Sequence, residues 1–173
     1  MSNVRVMPWQ DNDPVPAELL EAMQARRPGG ELIGIDRVLL KSFPLATGWN
    51  ELLRRVRANF SLELEYRELI MLRVAVLNNA EFEWGVHYPA YLQAGGNEAK
   101  AQALKQAVVD ETLFNQIELA LLSLTYQSTK NVTVDADLIE LLKSWIGDTK
   151  TVEAVATVAA YNMVSRFLVA LDI

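Results

Sequence analysis

The stretch "LEYRELIMLRVAVLNN", residues 64–79, limits the fold more than any other part of the chain. Leu69, Ile70, Leu72, Val76 and Leu77 recur at helical spacing, and the stretch is nearly apolar all round. A helix of that kind belongs inside a core, with other elements covering every side. Asn78-Asn79 marks its end, and the following segment, "LNNAEFEWGVHYPAYLQAGG", restarts as a helix that stops at Gly95-Gly96, where glycine takes the left-handed cap conformation readily.

The covering elements read as helices too. "PAELLEAMQARR" places Leu19, Leu20 and Met23 on one side and is stopped by "PGG" at 28–30. A helical stretch over about 34–42 is divided by Phe43-Pro44 from "ATGWNELLRRVRANF", where Trp49, Leu52, Leu53 and Val56 keep helical spacing. "NEAKAQALKQAV" and "DETLFNQIELALLSLTYQSTK" follow, the latter with Leu113, Ile117, Ala120, Leu121 and Leu124 on one face. "NVTVDADLIELLKSWIG" supplies another helix, with Asp135 or Asp137 near its start and Gly147 after it. No segment shows sustained period-two alternation, so the expected fold class is all-α. The expected layout is one helical domain over residues 1–173: an extended arm at 1–15, a core at 44–104 and a C-terminal packing helix at 150–173.

Length and composition agree with one soluble domain. A chain of 173 residues buries roughly 70% of its unfolded surface. A net charge of −6 and a pI near 4.9 argue against nucleic acid or an anionic membrane as a partner, because both need a basic face. With no cysteine there is no disulfide framework, thiolate nucleophile or Cys-ligated metal. "MSNVRVMPWQDNDP" lacks the apolar core of a secretory signal, which points to the cytoplasm. "TVEAVATVAAYNMVSRFLVALDI" is apolar enough to raise the membrane question, but Glu153, Asn162 and Arg166 interrupt it, so it reads as a buried helix. A final helix this poor in charge is often buried against another subunit, so a homo-oligomer is expected.

The chain's one histidine, His87, lies four residues after Glu83, which places both on one helix face. Ala80 leaves space on the same stripe, and Trp84 and Tyr88 offer aromatic walls. Glu68 is acidic in a mostly apolar neighbourhood, although axial position alone does not bring it to His87. A carboxylate beside an imidazole suits general acid or base chemistry. Glu68, Glu83 and His87 could equally hold a divalent metal, and a Glu/His pair at this spacing is also common on solvated helix faces. The acidic run Glu63, Glu65 and Glu68 reads first as a solvated helix start. The basic "LLRRVR" is too short for nucleic acid, and Arg55 has Glu51 at i,i+4. Tyr161 and Asn162 in the last helix need buried partners, with a pocket role open to Tyr161.

"RELIMLRVAVLNNAEFEWGVHYPAYLQAGGNEAKAQAL", residues 67–104, resembles the carboxymuconolactone decarboxylase superfamily, in particular its alkylhydroperoxidase-D-like branch. That branch has an acidic residue after Arg, an apolar helix, a Cys-x-x-Cys pair, a histidine four residues later and a closing "AG". Glu68, His87 and Gly95 stand at the matching positions here, while Ala80 and Glu83 replace the two cysteines. The resemblance covers roughly residues 44–104 and the C-terminal "VAAYNMVSRFLVALDI". It implies an alkylhydroperoxidase-D-like helical bundle, assembly into trimers or hexamers, and a pocket near the Glu-His helices.

A dithiol peroxidase must form and break a disulfide between the two replaced positions, which Ala80 and Glu83 cannot do. What the resemblance implies instead is a cofactor-independent decarboxylase or lactone isomerase acting on a small organic acid. His87 would transfer the proton, Glu83 would orient it or tune its pKa, Glu68 would be a second acid/base or an electrostatic partner, and Trp84, Tyr88 and Tyr161 would shape the pocket. The alternatives are a metal centre on Glu68, Glu83 and His87, and a helical binding or scaffold protein without catalysis.

Overall fold

The computed structural model describes residues 4–173, so the first three residues of the expected arm lie outside the described residues. From 4 to 16 the chain has no regular element, and Pro16 stands directly before α1 (Ala17–Gln24). The remaining α-helices are α2 (Gly34–Leu39), α3 (Phe43–Ala58), α4 (Leu64–Leu77), α5 (Glu81–Gln93), α6 (Glu98–Leu104), α7 (Gln116–Lys130) and α8 (Ala136–Leu171). Single 3₁₀ turns occur at Pro28–Gly30 and Glu111–Leu113, and no strand occurs among the described residues. The all-α expectation holds.

The chain divides into two units, Met1–Asn59 with Ala170–Ile173, and Phe60–Val169. In the first, α1 and α2 pack against α3. Asp36, fully buried, receives Arg26 and Arg27, and its Oδ2 also accepts the Ile33 N–H at 3.1 Å. Pro44 sits in the first turn of α3, where its missing N–H costs nothing, and the preceding helix ends at Leu39, earlier than the spacing suggests. Arg55 and Arg54 both reach Glu51, as the i,i+4 spacing anticipated for Arg55.

In the second unit α4 is the helix around which the others gather, packing against α5, α6 and α7. Every residue from Arg67 to Ala75 is buried, as its all-round apolar sequence demanded. Leu69 and Leu72 join Tyr91, Leu104, Phe114 and Leu122 in one cluster, with Trp84 and Tyr88 packed on its margin. After α5 the two glycines do different work: Gly95 takes φ +101°, whereas Gly96 lies directly against the Tyr91 ring.

Two boundaries in the second unit also differ from the sequence reading. α7 starts at Gln116, because Asn115 and Glu118 form a reciprocal capping box that outcompetes continuation of the upstream turn. Leu113 therefore lies outside the helix and is 39% exposed. α6 ends at Leu104, short of the apolar tail of "KQAV". α8 is continuous in trace but broken at Gly147, with φ 80° and ψ 166°, so the two expected helices meet there. By length and composition α8 could cross a membrane, and half of its most apolar window is buried. Its buried polar side chains bond to protein: Thr151 to the Gly147 carbonyl, Thr157 to the Glu153 carbonyl, and Asn162 to Thr129 Oγ1 and the Val158 carbonyl.

Candidate active site

Glu68 comes from α4 and His87 from α5, two consecutive helices that pack side by side. His87 Nδ1–H donates to Glu68 Oε2 at 2.7 Å, with the imidazole 6% exposed and the carboxylate residue 5% exposed. The contact that axial position left undecided is therefore made, and Glu68 is no part of a solvated acidic helix start. A carboxylate acceptor on Nδ1 fixes the proton there and leaves the Nε2 lone pair as the basic edge of the ring.

Glu83 lies one turn ahead of His87 on the same buried face of α5, as the spacing predicts. Both face α8. The Tyr161 ring meets His87 edge-on, centroids 4.9 Å apart at 84°, and Ser165 Oγ–H donates to the Glu83 carboxylate, 2.9 Å from Oε2 and 3.1 Å from Oε1. The two contacts are four residues apart on each helix, so α5 and α8 run antiparallel through the site. Tyr161 and Ser165 are fully buried, so no water competes for these partners. Tyr161 thus serves as a wall for the imidazole.

Arg67 adds a cation that composition alone did not single out. It is 6% exposed, with Nε–H donating to the Leu62 carbonyl at 2.9 Å. Burial pulls its guanidinium below the ordinary range, opposed by the negative charges of Glu68 and Glu153 and by Tyr161 and Glu63. Ser165 is likewise absent from the sequence reading; its signal is a hydroxyl in an apolar helix, which must find a buried partner.

Trp84 and Tyr88 occupy the neighbouring stripe of α5, stacked with centroids 5.9 Å apart. Trp84 borders a cavity of about 480 Å³ at the start of α5, together with Asn79, Ala80, Glu81 and Lys105. Lys105 Nζ lies 4.6 Å from the centre of the indole ring. Tyr88 turns instead towards Glu98, its hydroxyl 3.4 Å from Oε1. Among the described residues no three His, Cys, Asp or Glu side chains are grouped as a metal ion requires.

The motif, the pairing it creates and the helical frame all lead to one comparison: residues 44–121 match the carboxymuconolactone decarboxylase family. That segment is similar to a carboxymuconolactone decarboxylase family domain. It begins with Pro44 in α3 and ends in α7, enclosing Glu68, Glu83 and His87. No curated protein matches the chain.

Solved structures share the fold of this chain, two of them over 98% of its length. A peroxidase-related protein from Silicibacter sp. TM1040 is 14% identical, with a TM-score of 0.80 over 98% of this chain and 90% of its own. The debrominase Bmp8, solved as an alanine-for-cysteine variant with 2,3,4-tribromopyrrole, is 19% identical, with a TM-score of 0.78 over 98% of this chain and 90% of its own. A protein of unknown function from Agrobacterium tumefaciens, a candidate antioxidant defence protein AhpD, is 22% identical, with a TM-score of 0.66 over 72% of this chain and 86% of its own. At these identities the likeness is one of fold: an AhpD-like, all-helical carboxymuconolactone decarboxylase architecture, here without cysteine.

Proposed function

We propose that this protein is a cofactor-independent acid/base enzyme of the decarboxylase or lactone-isomerase type, acting on a small organic acid. The observation that carries it is the buried Glu68–His87 hydrogen bond, which presets one imidazole tautomer and supplies the counter-charge for a protonated ring. His87 moves the proton through Nε2, Glu68 orients the ring, and Glu83, tied to Ser165, adds a second carboxylate on the same face. Removing a carboxylate and an imidazole from water is costly unless their hydrogen-bond geometry is well made, so a buried pair of this kind is a functional candidate before it is a stabilising one.

The substrate class follows from the cavity beside Ala80. Lys105 over Trp84 provides a cation and a flat ring, and the α5 N-terminus adds positive potential despite Glu81 at the rim. A small planar carboxylate suits those groups. The tribromopyrrole held by the debrominase is a small planar ring as well, which supports the size. In the same proposal the protein is cytoplasmic and forms a trimer or hexamer. Support for assembly is the exposed row Val152, Val155 and Met163 on α8, apolar side chains at helical spacing.

The test is a screen of small lactone and unsaturated carboxylic acids, following carbon dioxide release and ultraviolet absorbance, with wild type and His87→Gln side by side. Turnover by wild type that disappears in His87→Gln, with unchanged helicity and oligomer size, is expected. Turnover retained by His87→Gln would remove the imidazole from the mechanism, and binding without turnover in wild type would favour a helical binding protein.

A further inference from the structure

A second polar centre lies in the same unit on a different face of α4. Arg73 is 4% exposed, yet among the described residues no carboxylate is paired with its charge. Nη1–H donates to the carbonyls of Leu104 at 2.6 Å and Gln106 at 3.1 Å, just past the end of α6. Those two bonds occupy one nitrogen of three. Among the described residues the only ionisable group acting on the guanidinium charge is Tyr126, and burial pulls its pKa below the ordinary value. Other buried charges in this protein are treated differently: Asp36 has two arginines, Glu118 has Lys100 at 2.6 Å, and Glu68 has His87. A buried cation lacking its counter-charge is expensive, and an anion from outside relieves that cost.

There is room for one. Arg73 borders a cavity of about 260 Å³ between α4, the segment after α6, and α7. Two hydroxyl residues, Ser123 and Tyr126, line the same cavity, while Val109, Leu119 and Leu122 supply apolar wall. Glu111 also lines the cavity but is exposed, where solvent screens its charge. We propose that this cavity binds a small carboxylate with a short apolar body, its two oxygens on the uncommitted fork of Arg73 and its tail against Leu119 and Leu122. Planar guanidinium pairs with planar carboxylate through two parallel hydrogen bonds, which a spherical ion cannot reproduce. The site is separate from Glu68 and His87 and stands whether or not that pair is catalytic.

Benzoate serves as the probe, titrated by calorimetry into the full chain at constant ionic strength, with inorganic phosphate and chloride as comparison anions. Saturable benzoate binding is expected, with phosphate and chloride at least about tenfold weaker. Arg73→Lys keeps the charge and loses the fork, and should weaken benzoate by about tenfold or more. Ser123→Ala with Tyr126→Phe leaves Arg73 and its bonds past α6 in place and should weaken it severalfold, so the proposal stays testable if Arg73 variants fold poorly. Lys105→Met removes the cation beside Trp84, so benzoate held there is lost while the binding at Arg73 should persist with unchanged affinity. Absence of saturable binding, equal affinity in Arg73→Lys and in the Ser123/Tyr126 variant, loss of all saturable binding in Lys105→Met, or preference for phosphate would each overturn it.

Discussion

Replacing Gly96 by alanine tests how tightly α5 is held in place. A Cβ built at Gly96 falls 2.5 Å from Tyr91 Cε1 and Cζ and 2.6 Å from Cδ1. Carbon atoms in contact rest at about 3.5–4.0 Å, so the added methyl is about 1 Å too close to three ring atoms at once. The ring has nowhere to go. Tyr91 is fully buried among Leu69, Leu72 and Leu104, and swinging it away opens a void on the other side. Overpacking of this kind costs about 1–3 kcal/mol. For a chain of this size that lowers the melting temperature by roughly 3–10 °C. Urea denaturation followed by tryptophan fluorescence, with calorimetry, measures the loss. The double variant isolates its origin: in a Tyr91→Leu background the same Gly96→Ala change should cost much less. A Gly96→Ala protein with the wild-type midpoint, or with an equal cost in both backgrounds, would refute the steric account.

Two further expectations concern buried oxygens. Ser165→Ala removes the hydroxyl that donates to the Glu83 carboxylate, a charged acceptor in a dry site, and should cost about 1.5–3 kcal/mol in a urea titration; a loss below about 0.5 kcal/mol would mean that Glu83 is satisfied without it. Burial pushes the Tyr91 phenol up to about 12. Because the folded state holds this proton more tightly than the unfolded chain, whose phenols titrate near 10, stability is intact below about pH 10 and falls as pH rises towards 12. Tyr91→Phe should flatten that slope; an unchanged slope would assign it to other groups.

The legible parts of this protein are those in which one segment decides its own fate. The all-round apolar run of α4 announced a core helix without reference to any neighbour. Glu83 and His87 share a face because four residues make nearly one helical turn. Where the answer depends on a competitor, reading the chain falls short. The apolar spacing of Leu113 continued that of α7, but the Asn115/Glu118 box claimed the helix start three residues later. Glu68 and His87 are 19 positions apart, and their meeting depends on how α4 and α5 cross. Ser165 is 82 positions from Glu83, and only packing of α8 on α5 could reveal the pair. Arg73 reads in the sequence as one charge in an apolar helix; its meaning lies in the lack of an opposing carboxylate among the described residues, which no local pattern records.

The polar contacts of the second unit also determine how its helices are allowed to slide. Apolar side chains tolerate many near-equivalent arrangements, and a bundle built only of leucine and valine has several neighbouring minima. Here Glu68–His87 pins α4 to α5, Ser165–Glu83 pins α8 to α5, and Asn162 joins Asn78 at the end of α4 and Thr129 in α7 to α8. Moving any of these helices by one turn, about 5.4 Å, leaves its buried polar groups facing hydrocarbon. The same few bonds that prepare an imidazole for proton transfer thus act as registration marks, excluding the shifted bundles that its hydrophobic surfaces would accept.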